Sequence, residues 1–386
     1  MPVILERIPE KKAKPPRPRT RRWLIFGAIV LITGMGLTFL LWQGERSGPG
    51  FWLFAVVLPA LLWGAMFSLR RAGYKYLSVG QYTANKTIQT RQASDKGRGQ
   101  RFAWFFGEIL VNALEREHKP TQKAALTKTP ILQPVVPRGA DKPVRHSRLP
   151  GGKDAVDVLK SFEAEVVGRI NQLLEALPPG MTCYLALDVG EGLTDLALSW
   201  LGKIDRPVVR IRDLSGLRLI DYWLDYHYAK PSALLVISAQ LNDVPDNDTG
   251  EAISAVLMTN CRLNDTPPKS VRIHRPQINH TGDLGHALRH AMLWARLEED
   301  TLLRGWISGG ALVSSDTLST ACNAFAPEMT VQRCVNIDAV VGFAGTAAPW
   351  QALILATRQC LVDGEAQIVV TESSTNTWQL CAVTTE

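Results

Sequence analysis

The sequence predicts an α/β protein in two parts, an N-terminal two-helix transmembrane hairpin and a mixed α/β cytoplasmic body. Three observations carry this. Two uncharged apolar stretches stand back to back near the start, Trp23 to Trp42 and Phe51 to Leu69. A proline-rich, basic run from Pro120 to Gly152 then breaks all periodicity. Beyond it, helical and strand patterns alternate to the C-terminus, the signature of layered α/β architecture. The expected organisation is a basic cytoplasmic tail (1–22), the hairpin (23–75), a juxtamembrane helix and linker (76–152) and a soluble domain (153–386).

Each apolar stretch matches the roughly 20 residues that an α-helix needs to cross a bilayer. Neither holds an Asp, Glu, Lys or Arg, and one such residue at the centre would cost roughly 2.5–3.5 kcal/mol. Trp23, Trp42 and Trp52 stand at the ends, where an interfacial aromatic belt belongs. Lys and Arg crowd the tail before the first stretch and recur at Arg70, Arg71 and Lys75 after the second. The positive-inside rule therefore puts both ends of the hairpin in the cytoplasm.

Charge divides the same way. Residues 1–150 carry 25 Lys+Arg against 8 Asp+Glu, whereas residues 151–386 carry 18 against 28. The basic excess thus belongs to the membrane flanks and linker, where anionic lipid attracts it. No nucleic-acid module accompanies it, and nucleic acid is not an expected partner. All six cysteines (Cys183, Cys261, Cys322, Cys334, Cys360 and Cys381) fall in the body without a CxxC spacing, as small core residues of a reducing compartment.

Within the linker region, RFAWFFGEILVNALEREHK (101–119) is expected as a helix with one broad apolar side. In the body, apolar residues from Val158 to Leu177 repeat at helical spacing until Pro178-Pro179-Gly180 stops them. Strands are expected at Cys183–Val189, 207–211, 233–238, 253–258, 270–273, 335–341, 367–371 and 378–384. Helices are expected at 193–201, from the Asp283 cap to near Glu299, and at 350–361, and 220–228 is read as helical or irregular.

The search for chemistry finds little. Gly190-Glu191-Gly192 is a turn without the rest of a dinucleotide loop, and no GxxxxGK[ST] or GxSxG occurs. His286 and His290 share a helical face and, with His280 or Asp283, have the spacing of metal ligands. The run lacks the glutamate of HExxH, so core or solvated histidines are the favoured reading. Asp243, Asp246 and Asp248, and Glu298, Glu299 and Asp300, are expected as solvated surface. No catalytic, cofactor or metal residue is assigned, and the chain is expected not to be an enzyme.

Three likenesses extend this. DTLSTACNAF, around Cys322, resembles the active-site segment of condensing enzymes, which place a cysteine after Thr-Ala. In those enzymes catalytic histidines follow the cysteine, whereas the last histidine here is His290. GEAISAVLM (250–258) and the tail PWQALILATRQCLVDGEAQIVVTESSTNTWQLCAV resemble elements of thiolase-like folds that have lost their active site. The whole arrangement, with LEALPPGMTCYLALDVGEG and PSALLVISAQLNDVP in the body, resembles the type VI secretion lipase-adaptor family. That resemblance implies an adaptor or chaperone, held in a bacterial inner membrane, that loads a phospholipase-type effector onto the VgrG spike. Its alternatives are a thiolase-like acyl-transfer enzyme using Cys322 and a structural membrane scaffold.

Overall fold

The computed structural model describes residues 3, 5–46, 48–116, 120–190, 192–263, 270–278, 283–309, 316–374 and 377–386. These form two compact units, one spanning Ile4–Asp95 and one containing Lys96–Glu386.

In the first unit, α1 (Thr20–Leu41) and α2 (Pro49–Gly99) are both long and apolar enough to cross a membrane. They pack antiparallel. The Trp63 indole donates to the Trp23 carbonyl at 3.0 Å, and Phe39 meets Phe51 edge-on at 5.1 Å. Glycines allow the approach: a methyl group on Gly27 would lie 2.6 Å from the Trp63 ring, and one on Gly34 only 2.4 Å from Pro59. Pro59 has no N–H to return to the carbonyl four residues back, and the helix widens into a π turn over Leu53–Val57 just before it. The second helix was expected to end near Leu69 but continues for thirty residues, to about 75 Å in all. Its distal part has no proline to stop it, and polar residues such as Arg91 and Asp95 (3.9 Å) pair one turn apart.

The second unit is built on ten principal strands: β1 (Phe102–Asn112), β2 (Thr182–Val189), β3 (Val208–Ile211), β4 (Ser232–Gln240), β5 (Ala252–Thr259), β6 (Val271–His274), β7 (Leu303–Ser308), β8 (Cys334–Asn336), β9 (Ala366–Ser374) and β10 (Thr377–Thr385). Their order across the sheet is β8-β7-β9-β10-β6-β1-β5-β4-β2-β3. Numbered within its own half, each side has the order 3-2-4-5-1. The fifth strand of each half is antiparallel to its neighbours. The halves are therefore structural repeats, joined where β1 meets β6 antiparallel.

Three helical layers cover the two half-sheets. Outside the first half lie α3 (Ala155–Ser161), α4 (Glu163–Glu175) and α5 (Thr194–Ser199); Val158, Val166 and Ile170 meet Leu235, Ile237 and Leu257 there. Between the halves lie α6 (Arg218–Tyr226) and α9 (Ala348–Asp363); Trp223 and Leu353 share one core with Leu234 and Val236 of β4 and Val369 of β9. Outside the second half lie α7 (Leu284–Ala295) and α8 (Asp316–Phe325), which cover Ile368, Val370 and Leu380. Alternate residues of one strand thus enter different cores, as the period of two requires. The central helix α9 is buried from Ala348 to Thr357 because PWQALILAT offers no charge to any face.

The stretch 101–119, expected as a helix, is a correction. Residues 102–112 form β1, a strand of the main sheet, within the compact unit that contains Lys96–Glu386. Pairing on both edges, to β5 and β6, outweighs a weak helical pattern, and the aromatic residues suit a strand. Gly107 fits this packing, since a methyl group there would fall 2.5 Å from Leu173 of α4. The strand expected over 335–341 is also shorter, ending at Asn336 before a helical turn from Asp338 to Val341.

A buried cation ties the halves together. Arg275, just after β6, donates to Asp221 at 2.6 Å and to Asp225 at 2.8 Å, both on α6. It also reaches the Arg98 carbonyl at 3.2 Å. Replacing it by Met would leave two carboxylates facing an apolar side chain. Chemical denaturation of Arg275→Met in detergent should show a loss of about 3–5 kcal/mol.

Candidate functional site: a thiol-lined cavity

A cavity of about 500 Å³ opens between α8, β7 and β8. Its wall is mainly apolar, with Ile307, Leu318, Met329 and Val340, and its rim carries Lys128, Ser319, Asn323 and Asn336. Cys322 and Cys334 both line it. All six cysteines are free.

The two thiols are unlike. The neighbouring Cys334 thiol and burial both push the titration of Cys322 far above the ordinary thiol range. The neighbouring Cys322 thiol holds the Cys334 thiol below its ordinary value, against burial, and the Lys128 ammonium adds to the effect. Sequence reasoning singled out Cys322 and passed over Cys334. The helix α8 surrounds Cys322 with apolar neighbours rather than presenting it at a helix start, whereas Cys334 shares the cavity wall with Lys128. No histidine lines the cavity among the described residues.

The other candidates are placed as follows. His286 and His290 lie on α7 with ring centroids 4.3 Å apart. The His290 ring bonds to the His286 carbonyl at 2.9 Å. Asp283 caps α7, accepting from the His286 N–H at 3.0 Å, and His280 and Glu191 fall outside the described residues. Among the described residues no three of His, Cys, Asp and Glu converge as a metal site. Glu298, Glu299, Asp300, Asp246 and Asp248 are exposed. Asp243 is not simply solvated surface: it accepts the Ala155 N–H at 2.7 Å and so starts α3.

Two buried carboxyls were not legible beforehand. Asp188, at the end of β2, accepts the Gly216 N–H and the Trp350 indole, each at 2.7 Å. It therefore ties the segment that leads into α6 to the first turn of α9. Burial pushes its titration up, and the two donors pull against that. Beside it, Gln379 accepts the Leu217 N–H at 2.6 Å. This centre is filled by its own side chains. Asp338 accepts from the Ser308 hydroxyl at 2.5 Å and the Gly309 N–H at 2.6 Å.

A second, polar cavity of about 660 Å³ is lined by Arg116, Arg138 and Arg148. Its guanidinium groups are engaged within the chain. Arg138 is paired with the buried Glu251, Arg116 with Glu165 at 3.1 Å, and Arg148 reaches the Val136 carbonyl at 3.3 Å.

No protein-family model matches this sequence, and no curated protein does. Solved structures do. The body is similar to the ishigamide ketosynthase/chain length factor, with 13% identity over 73% of this chain and 99% of that one, at a TM-score of 0.51. It is similar to the PfaC keto synthase–chain length factor, with 10% identity over 74% of this chain and 43% of that one, at 0.52. A match to the 3-oxoacyl-[acyl-carrier-protein] synthase III of Aquifex aeolicus has 12% identity over 73% and 99% of the chains, at 0.41. The first two establish that the body has the mixed α/β, thiolase-like fold of ketosynthases, and the solved proteins named here are synthases.

Asp338 yields a test of its surroundings. Burial, with Glu372 adding to it, pushes this carboxyl up to about 6 from 3.8. The folded state therefore holds the proton more tightly than the unfolded chain, and stability drains away as pH rises from 3.8 through 6. Asp338→Asn lacks that loss. Its stability relative to the parent should climb by up to about 3 kcal/mol between pH 4 and 7, read from paired denaturation curves.

Proposed function

We propose that this protein is a membrane-anchored, non-catalytic adaptor that holds a phospholipase-type effector for transfer to the VgrG spike of a type VI secretion system. The observation that carries the non-catalytic part is Cys322. The one cysteine whose sequence resembles a condensing-enzyme nucleophile is buried in an outer helix, with its thiol proton tightly held and no histidine among the described residues of its cavity. The effector and spike are taken from the likeness of the hairpin, LEALPPGMTCYLALDVGEG and PSALLVISAQLNDVP to the adaptor family.

On this reading the hairpin spans the inner membrane with both termini in the cytoplasm. Tethering then confines the body to the membrane surface and raises its effective concentration toward partners docked there. The net acidic body would steer a basic partner surface, with association weakening as salt rises.

A second reading, thiolase-like acyl transfer, is favoured by one observation, the lowered Cys334 thiol on an apolar cavity. The variants Cys322→Ala and Cys334→Ala separate the two. An adaptor carrying either change should still capture the effector in a pull-down and sustain its export; an acyl enzyme should lose its function. Deletion of the gene should abolish export of that effector. Normal export from the deletion strain, with no effector recovered, would end the adaptor proposal. A reporter fused after Glu386 should be active in the cytoplasm, and activity confined to the periplasm would reverse the topology.

A further inference from the structure

Three sulfur atoms, not two, meet at the wall of the thiol cavity. Gly305 of β7 is paired in register with Cys334 of β8, and it presents no side chain to the face that α8 covers. A methyl group on Gly305 would lie 3.2 Å from Cys334 Sγ and 3.2 Å from Met329 Sδ. The thioether and the thiol thus occupy the space that a larger residue would fill. Cys322 of α8 lines the same cavity and shares its buried cluster with Met329, against which Cys334 packs.

We propose that Cys322, Cys334 and Met329 form a binding site for a soft monovalent d¹⁰ cation, Cu(I) or its analogue Ag(I). Thiolate and thioether donors select such ions over hard ones. Zinc is disfavoured, since it seeks four nitrogen, thiolate or carboxylate ligands and the described lining holds no His, Asp or Glu.

Charge balance agrees. As the metal enters, two S–H bonds break, two S–metal bonds form, and the thiol protons pass to water. Two thiolates and one monovalent cation leave a net single negative charge. Lys128, at the cavity wall, supplies the compensating positive one. No electron changes hands.

The site is independent of the adaptor reading and of any catalytic activity. The test uses the full chain in detergent under anaerobic conditions, titrated with Cu(I) in competition with a chromophoric Cu(I) chelator. One equivalent should be withdrawn from the chelator. Cys322→Ser and Cys334→Ser should lose it, Met329→Leu should weaken it about tenfold, and Cys261→Ser should leave it unchanged. Because a thiol variant can misfold, the parent chain supplies a second readout. Cu(I) or Ag(I) should protect Cys322 and Cys334 from alkylation, mapped by mass spectrometry, and leave the Cys261 labelling rate unaltered. No metal withdrawn, equal withdrawal by the folded Cys322→Ser and Cys334→Ser chains, or protection absent from both residues would overturn the site.

Discussion

Each half-sheet of the body is apolar on both faces, and that constraint dictates the architecture. Strand β4 is buried from Ser232 to Ala239, so it cannot leave either side to water. A single half would need two helical layers of its own. Sharing one layer solves this for both halves, and α9 is buried from Ala348 to Thr357 as a result. Parallel sheets buried on both faces impose the same demand elsewhere.

A core of that kind tolerates many packings, so the polar groups inside it acquire a positioning role. Asp188 bonds to the start of α6 through Gly216 and to the start of α9 through Trp350. Arg275 reaches across from the second half to two carboxylates of α6. Both interactions fix how the repeats face each other, and a shift of either half would strand a buried charge. The filled centre around Asp188 also separates this body from a vacant binding cleft.

Much of the fold was legible in the sequence, because helices and buried strands write clear periods. The proline stop after Leu177, the Asp283 cap and the apolar runs of β4 and β5 all fall where the patterns put them. The failures share one cause, which is dependence on partners remote in sequence. Strand β1 is specified by β5 and β6 rather than by its own pattern. The thiol cavity is assembled from segments around residues 128, 307, 322 and 334, and nothing local links Met329 or Lys128 to a cysteine. Motif reading found Cys322 through its flanking residues and could not see that a second thiol of the same cavity lay twelve positions on.

The place of β1 at the seam has a consequence for biosynthesis. It emerges from the ribosome early, rich in aromatic residues, yet its two neighbours begin at Ala252 and Val271. At about 5–20 residues per second, it waits on the order of ten to thirty seconds with both edges unsatisfied. Such a nascent chain is a natural client for a holding chaperone, and stalling before Val271 would expose the segment most prone to aggregate.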